Sequence, residues 1–180
     1  IQDADNLAWK LKLVVDGKAP ATLLDTYSDE RGFAADENIM NSTRSTDFIT
    51  PKSAVSKAFR NAVLGLAEHY PFARALVNSG RLSVPSFLAD SRLNTADGDA
   101  FAGNMIPGAP MDDAPIESAG GAQWLLGAVG NRFQVLHYVP DASALDATTV
   151  AALAGLADAL IPVEAIVVAE RGTAPAGLTT

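Results

Sequence analysis

The sequence predicts an α/β fold, of the α+β kind, in which a helical N-terminal part is followed by a smaller strand–helix–strand unit. Apolar residues recur at helical spacing over most of residues 3–78. A stretch rich in Pro and Gly follows, and beyond it two β-branched runs flank one more helical pattern. With 180 residues, 48% of them hydrophobic, the chain is long enough to bury a sizeable core.

Four helices are predicted in the N-terminal part. The first is expected to be mostly buried, because Trp9 and Leu13 widen its apolar face, and Asp3 and Asp5 suit the positive end of its dipole. Pro51 interrupts the pattern between the second and third helices. The predicted spans are residues 3–15, 21–41 with an extension to 48 left open, 53–68 and 72–78.

The C-terminal part contains a strand–helix–strand pattern. Strands are predicted at residues 132–139 and 163–169, and a helix at 147–160 joins them with Asp146 as its N-cap. A helical connection of this kind implies that the strands are parallel and that the crossover is right-handed. A separate short helix is predicted at residues 122–129.

Residues 81–106 show little periodicity and contain several Pro and Gly residues, so we interpret them as a linker. The expected domains are therefore residues 1–80, a helical segment, and 107–180, the sheet-containing domain.

Composition excludes several classes of protein. Thirteen basic and twenty-one acidic residues give a net charge of −8, with the basic residues scattered, so nucleic acid is not an expected partner. Without cysteine there is no disulfide, thiolate metal site or thiol nucleophile, which fits a cytoplasmic protein. No apolar run is long enough to predict a membrane span. The chain lacks an initiator Met and a signal peptide, so we expect a fragment of a longer protein.

No complete active site is visible, so we assign no catalytic residue and no metal ligand. His69 and His137 are too few for a common zinc site, and each is expected to be structural. The sequence contains no nucleophile elbow, P-loop or dinucleotide fingerprint. The acidic clusters are interpreted as solvated surface rather than as acid–base groups; they are Asp29 and Glu30 with Arg31, Asp97 with Asp99, and Asp112 with Asp113.

The N-terminal residues nevertheless form a specific pattern, QDA-x-NL-x-WKL, then a short gap with Gly17, then LL-x-x-Y-x-x-ER. This pattern resembles a signature of FAD-dependent aromatic hydroxylases of the phenol and hydroxybenzoate type. Residues 82–85 and 107–115 also resemble the passage by which those enzymes enter a C-terminal thioredoxin-like domain. The matching residues are Gln2, Asp3, Ala4, Asn6, Leu7, Trp9, Lys10, Leu11, Leu23, Leu24, Tyr27, Glu30 and Arg31.

The resemblance implies that the chain is the C-terminal portion of an FAD-dependent, NAD(P)H-using monooxygenase that hydroxylates a small phenol-like aromatic substrate. In the family the first helix points its N-terminus at the flavin, which would make Ile1, Gln2 and Asp3 the cofactor-binding residues. The family's glycine-rich and ribityl-contacting motifs precede the equivalent of Ile1. We therefore expect the parent protein to be an enzyme and this chain alone to be inactive, without FAD.

The resemblance also implies that residues 107–180 form an incomplete thioredoxin-like domain. The turn after the first strand reads Pro140-Asp141-Ala142-Ser143 and has no cysteine, so it cannot exchange disulfides. In the family such domains take part in dimer contacts, and we expect a homo-oligomer. The alternative that remains open is a non-catalytic thioredoxin-like module for dimerisation or binding.

Overall fold

The computed structural model describes residues 1–77, 84–98, 103, 105–118, 120–173 and 178. The chain divides into two compact units, residues 1–111 and 112–180. Helices and strands are both present, which confirms the mixed α/β class. In the described part of the chain, no helix has the length and hydropathy needed to cross a membrane.

The first unit is helical. The second helix begins with a 3₁₀ turn at Ala21–Leu24, where the Thr26 hydroxyl donates to the carbonyl oxygen of Leu23 at 2.7 Å, and it extends beyond residue 41. Ser53 caps the third helix by accepting the Ser56 backbone N–H at 3.0 Å. The helices are α1 (Gln2–Val15), α2 (Asp25–Ile49), α3 (Ala54–Ala67) and α4 (Pro71–Val77).

The prediction that the first helix is mostly buried is wrong for this structure. Only Lys10 and Leu13 of α1 are buried, while Leu11 and Val15 are 44% and 76% exposed. The reason is that Asp3 and Lys10 of α1 pair with Arg31 and Glu30 of α2, which leaves Leu11 and Val15 on the exposed side of the helix.

Residues 84–98, which we interpreted as part of a linker, pack against α2 within the first unit. The Ser91 hydroxyl donates to the Glu30 carboxylate, and Arg92 pairs with Asp29 at 2.7 Å. We call residues 84–98 the strap. Its functional assignment as an interdomain linker stays a prediction.

The second unit begins with a hairpin. Strands β1 (Pro115–Ser118) and β2 (Gly121–Trp124) are antiparallel and are followed by the short helix α5 (Leu125–Ala128). The predicted helix at residues 122–129 is therefore wrong over its first three residues. Pairing with β1, together with the positive φ of 103° at Gly121, favours the extended conformation there.

A parallel pair of strands forms the larger sheet of this unit. Strand β3 (Gln134–Asp141) pairs with β4 (Glu164–Arg171) in parallel, with Gln134 opposite Glu164 and Asp141 opposite Arg171. Helix α6 (Ala147–Gly155) and a 3₁₀ turn at Leu156–Asp158 connect them. This confirms the predicted parallel pairing, whereas a thioredoxin-like identity for the unit stays a prediction.

The N-cap of α6 and the buried centre of β4 stabilise this arrangement. Asp146 accepts the backbone N–H of Thr149 at 2.9 Å, which confirms the predicted N-cap. Ala165, Ile166 and Val167 are buried, so β4 supplies most of the unit's apolar core.

Gly108 generates a prediction about the first unit. Its φ is 81°, and an added Cβ would clash with the carbonyl oxygen of Leu88, whose N–H donates to the Gly108 carbonyl at 2.8 Å. We expect Gly108→Ala to destabilise the chain by at least about 1–2 kcal/mol, the cost of a left-handed conformation alone. Urea unfolding followed by far-UV circular dichroism measures this.

Gly98→Ala is the matched control, because nothing lies within 4 Å of an added Cβ and its φ is not in the left-handed range. Equal unfolding midpoints for the two variants would contradict the proposed constraint at Gly108.

Candidate functional site

A polar stripe on α1 faces α2. Asp3, Asn6 and Lys10 are spaced three and four residues apart, which places them on one side of the helix. All three belong to the pattern that resembles the hydroxylase signature. Their partners on α2 are the adjacent residues Glu30 and Arg31.

Lys10 and Glu30 form a buried ion pair at the centre of this stripe. The Lys10 Nζ lies 2.6 Å from Glu30 Oε2, and the two side chains are 0% and 6% exposed. Asn6 bridges them, because its Nδ2 donates to Glu30 Oε2 at 2.7 Å and its Oδ1 accepts from Lys10 Nζ at 2.9 Å. The Ser91 hydroxyl donates to Glu30 Oε1. We call Asn6, Lys10, Glu30 and Ser91 the polar cluster.

The electrostatics of the polar cluster favour an ionised Glu30. Burial alone would raise the pKa of its carboxyl group, but hydrogen bonds from Asn6, Lys10 and Ser91 and the charge of Lys10 outweigh burial and lower the pKa below its ordinary value of about 4.5. Glu30 is therefore a carboxylate at neutral pH. Because both of its oxygens already accept hydrogen bonds, it is poorly suited to take a proton from a substrate.

Two further ion pairs flank the polar cluster, one partly buried and one exposed. Arg31 Nε lies 2.6 Å from Asp3 Oδ1, with side chains 15% and 65% exposed, and it holds the first turn of α1 against α2. Arg92 Nη2 lies 2.7 Å from Asp29 Oδ2 and holds the strap. The Lys10 Nζ also lies 5.4 Å from the centre of the Trp9 ring, within the range of a cation–π contact.

The cleft beside the polar cluster is small. Asp29, Phe33, Phe87 and Asp90 are among the residues that line it, and its volume is about 80 Å³. Sites for small organic ligands usually enclose roughly 300–1,000 Å³. This cleft is therefore smaller than the usual site for a small organic ligand.

The structure places the three predicted cofactor-binding residues, Ile1, Gln2 and Asp3, at the exposed start of α1. No side chain caps this helix, so its first N–H groups have no acceptor within the helix and can donate to an acceptor edge such as that of a flavin. The carboxylate of Asp3 accepts a hydrogen bond from Arg31 Nε on α2 at 2.6 Å. The free N–H groups suit an acceptor atom, and none of the three residues forms a cradle for phosphate groups.

The structure also locates other residues that the sequence analysis singled out. The expectation that Glu30 lies on a solvated surface is wrong, because the polar cluster buries it. His69 lies 3.8 Å from Glu68 on the first unit, whereas His137 lies on β3 of the second. Among the described residues, no three His, Asp or Glu side chains are arranged to hold a metal ion.

The polar cluster itself was missed by sequence reasoning, which looked for apolar periodicity in α1. The available signal was the spacing of Asp3, Asn6 and Lys10 combined with the neighbouring opposite charges at Glu30 and Arg31.

Removing one member of the buried pair should strongly destabilise the chain. Lys10→Met leaves Glu30 buried without its counter-charge, at an expected cost of about 3–5 kcal/mol in the free energy of unfolding. The double variant Lys10→Met with Glu30→Leu should recover much of this loss, because no charge then remains buried. A double-mutant cycle by urea unfolding measures the coupling.

Lys12→Met on the same helix is the control, since Lys12 is 73% exposed in its pair with Asp16 and its loss should change stability little. Additive effects in the cycle would show that Lys10 and Glu30 do not act as a pair.

The lowered pKa of Glu30 predicts acid sensitivity. Ionised Glu30 stabilises the folded chain above about pH 4.5, and this contribution is lost as the pH falls through the lower pKa of the folded state. Glu30→Gln should therefore lower the free energy of unfolding at neutral pH. The difference from the unmodified chain should shrink as the solution is acidified. Urea unfolding over a pH series tests this, with Asp36→Asn, an exposed residue of α2, as control. A constant difference across the series would rule out Glu30 as the titrating group.

Comparison with known proteins shows that the segment containing the polar stripe is similar to a known family. The FAD binding domain family matches residues 1–42, which include Asp3, Asn6, Lys10, Glu30 and Arg31. Three relatives are named 3-(3-hydroxy-phenyl)propionate/3-hydroxycinnamic acid hydroxylase and come from Escherichia coli O139:H28 (strain E24377A / ETEC), O157:H7 (strain EC4115 / EHEC) and strain K12 / DH10B.

Each relative is 39% identical to this chain over 71 residues, which is 39% of this chain. The matched segment spans only 13% of the length of these relatives. The resemblance of the N-terminal residues to FAD-dependent aromatic hydroxylases is thereby confirmed.

Proposed function

We propose that this chain is part of a flavin-dependent monooxygenase that hydroxylates a small phenol-like aromatic compound, with NAD(P)H as the reductant. The observation that carries the proposal is that the family match and the polar stripe coincide: the residues that join α1 to α2 are those of the matched segment. The relatives' names, which describe hydroxylases of a hydroxyphenylpropionate and a hydroxycinnamic acid, support the substrate class.

In this proposal the start of α1 contacts the flavin. The residues that would hold one edge of FAD are Ile1, Gln2 and Asp3, whose free backbone N–H groups and helix dipole favour an acceptor atom or a developing negative charge. The flavin, when bound, supplies the redox chemistry by accepting hydride from NAD(P)H and activating oxygen for transfer to the ring. The polar cluster supplies no proton; it fixes the helix.

The outer face of α1 supports a place within a larger protein. Leu11 and Val15 are exposed on a helix whose other side is anchored to α2, which leaves apolar side chains available for contact with further protein. We include a homo-oligomeric assembly and a cytoplasmic location in the proposal, with neither nucleic acid nor membrane as a partner.

The second candidate is a non-catalytic thioredoxin-like module for dimerisation or binding. The parallel β3–β4 pair joined by α6 favours it, as does the absence of cysteine from the end of β3 and from the 3₁₀ turn Ala142–Ala144 that follows, where the sequence predicts a turn from Pro140. The upstream reading frame of the gene separates the candidates. A GxGxxG motif and a GD motif ahead of Ile1 would support the monooxygenase, and an upstream frame without them would support the module.

The proposal predicts that these 180 residues alone do not hold FAD. A helix N-terminus contributes roughly 0.3–1 kcal/mol to an exposed anion, whereas micromolar binding requires about 8 kcal/mol. Titration of the purified chain with FAD, followed by flavin fluorescence, should therefore show no saturation in the micromolar range, and the chain should not oxidise NADH or NADPH with a phenolic substrate.

The positive comparison is a longer protein that contains the upstream reading frame, which should bind FAD and turn yellow. Stoichiometric FAD on the 180-residue chain would contradict the assignment of most of the flavin site to other residues.

A further inference from the structure

We infer that the two ion pairs between α1 and α2 fix the position of α1 along α2, which we call the register. Lys10–Glu30 anchors the helix, and Asp3–Arg31 sets the position of its N-terminus. Arg31 is then a positioning residue. The consequence for the flavin rests on the proposed function, whereas the register itself does not.

The order of charges along the helices carries the inference. Asp3 and Lys10 are separated by seven residues, or roughly 10.5 Å along α1, and they lie on one face. Their partners, Glu30 and Arg31, are adjacent on α2 and opposite in charge. Sliding α1 by one turn breaks both pairs, and sliding it by two turns brings Asp3 towards Glu30, where like charges repel.

The two pairs differ in burial, and this divides their roles. Lys10 and Glu30 are almost fully buried and share hydrogen bonds with Asn6, so their loss affects the whole unit. Asp3 is 65% exposed and Arg31 15% exposed, so their pair is screened by solvent more than the buried pair and acts mainly on the first turn of α1.

Arg31 also controls the charge at the start of α1. An unpaired Asp3 carboxylate in the first turn would place a negative charge beside the free N–H groups that the proposed function assigns to the flavin. Arg31 neutralises that carboxylate and holds it towards α2 through the 2.6 Å contact from Nε to Oδ1. The pair therefore keeps the helix end favourable to negative charge that develops on a reduced flavin.

The register is tested in the 180-residue chain by amide hydrogen exchange. Arg31→Gln should speed exchange of the Asp5 amide, whose N–H donates to the Ile1 carbonyl at 3.0 Å, by about tenfold and leave exchange around Lys10 and Leu13 nearly unchanged. Arg31→Lys, which retains the charge, should restore most of the protection. The control is Arg92→Gln, which breaks an exposed ion pair of similar length to α2 without touching α1.

Unchanged exchange in Arg31→Gln, or faster exchange spread evenly over α1 and α2, would overturn the assignment of Arg31 to the helix end. Faster exchange spread evenly over both helices would mean that Arg31 contributes to the stability of the whole unit instead.

The flavin consequence is tested in the longer protein that contains these residues. Arg31→Gln should weaken binding of reduced relative to oxidised FAD about tenfold, which lowers the two-electron midpoint potential by about 30 mV. Arg31→Lys should recover most of this shift, and Arg92→Gln should retain the unmodified potential. If the longer protein binds FAD and its potential is unaffected by Arg31→Gln, the inference about the flavin fails. If the longer protein binds no FAD, the proposed function fails, and the exchange experiment still decides the register.

Discussion

The buried pair of Lys10 and Glu30 is the constraint on which the first unit depends. A charge removed from water is costly unless other charges and hydrogen-bond donors replace the lost hydration. Here the replacement comes from three separate segments, because Lys10 and Asn6 lie on α1, Glu30 on α2 and Ser91 on the strap. Satisfying one carboxylate therefore fixes the relative positions of all three segments.

This constraint gives α1 two faces with different roles. The polar stripe of Asp3, Asn6 and Lys10 turns towards α2, while Leu11 and Val15 remain exposed on the other side. Apolar contacts are weakly directional, whereas ion pairs and hydrogen bonds require defined distances and angles. The face that defines the position of α1 is thus the polar one.

Elements that depend on local periodicity could be predicted from the sequence. The four helices of the first unit and the parallel β3–β4 pair follow from apolar spacing, from Pro51, and from the Asp146 cap. The burial of Glu30 could not be predicted this way, because it depends on partners 20 and 61 residues away and charged residues normally lie at the surface. Strand β2 was missed because its four residues are all exposed and show no alternation, so that only pairing with β1 defines it.

The electrostatics of Glu30 indicate a structural role rather than a role in proton transfer. A general base works best when its pKa lies near the operating pH and one of its oxygens is available to a proton. The pKa of Glu30 is lowered instead, and both of its oxygens are occupied by Asn6, Lys10 and Ser91. A carboxylate held in this way resists protonation and keeps its partners in place. The polar cluster is therefore suited to hold α1 in position rather than to transfer a proton.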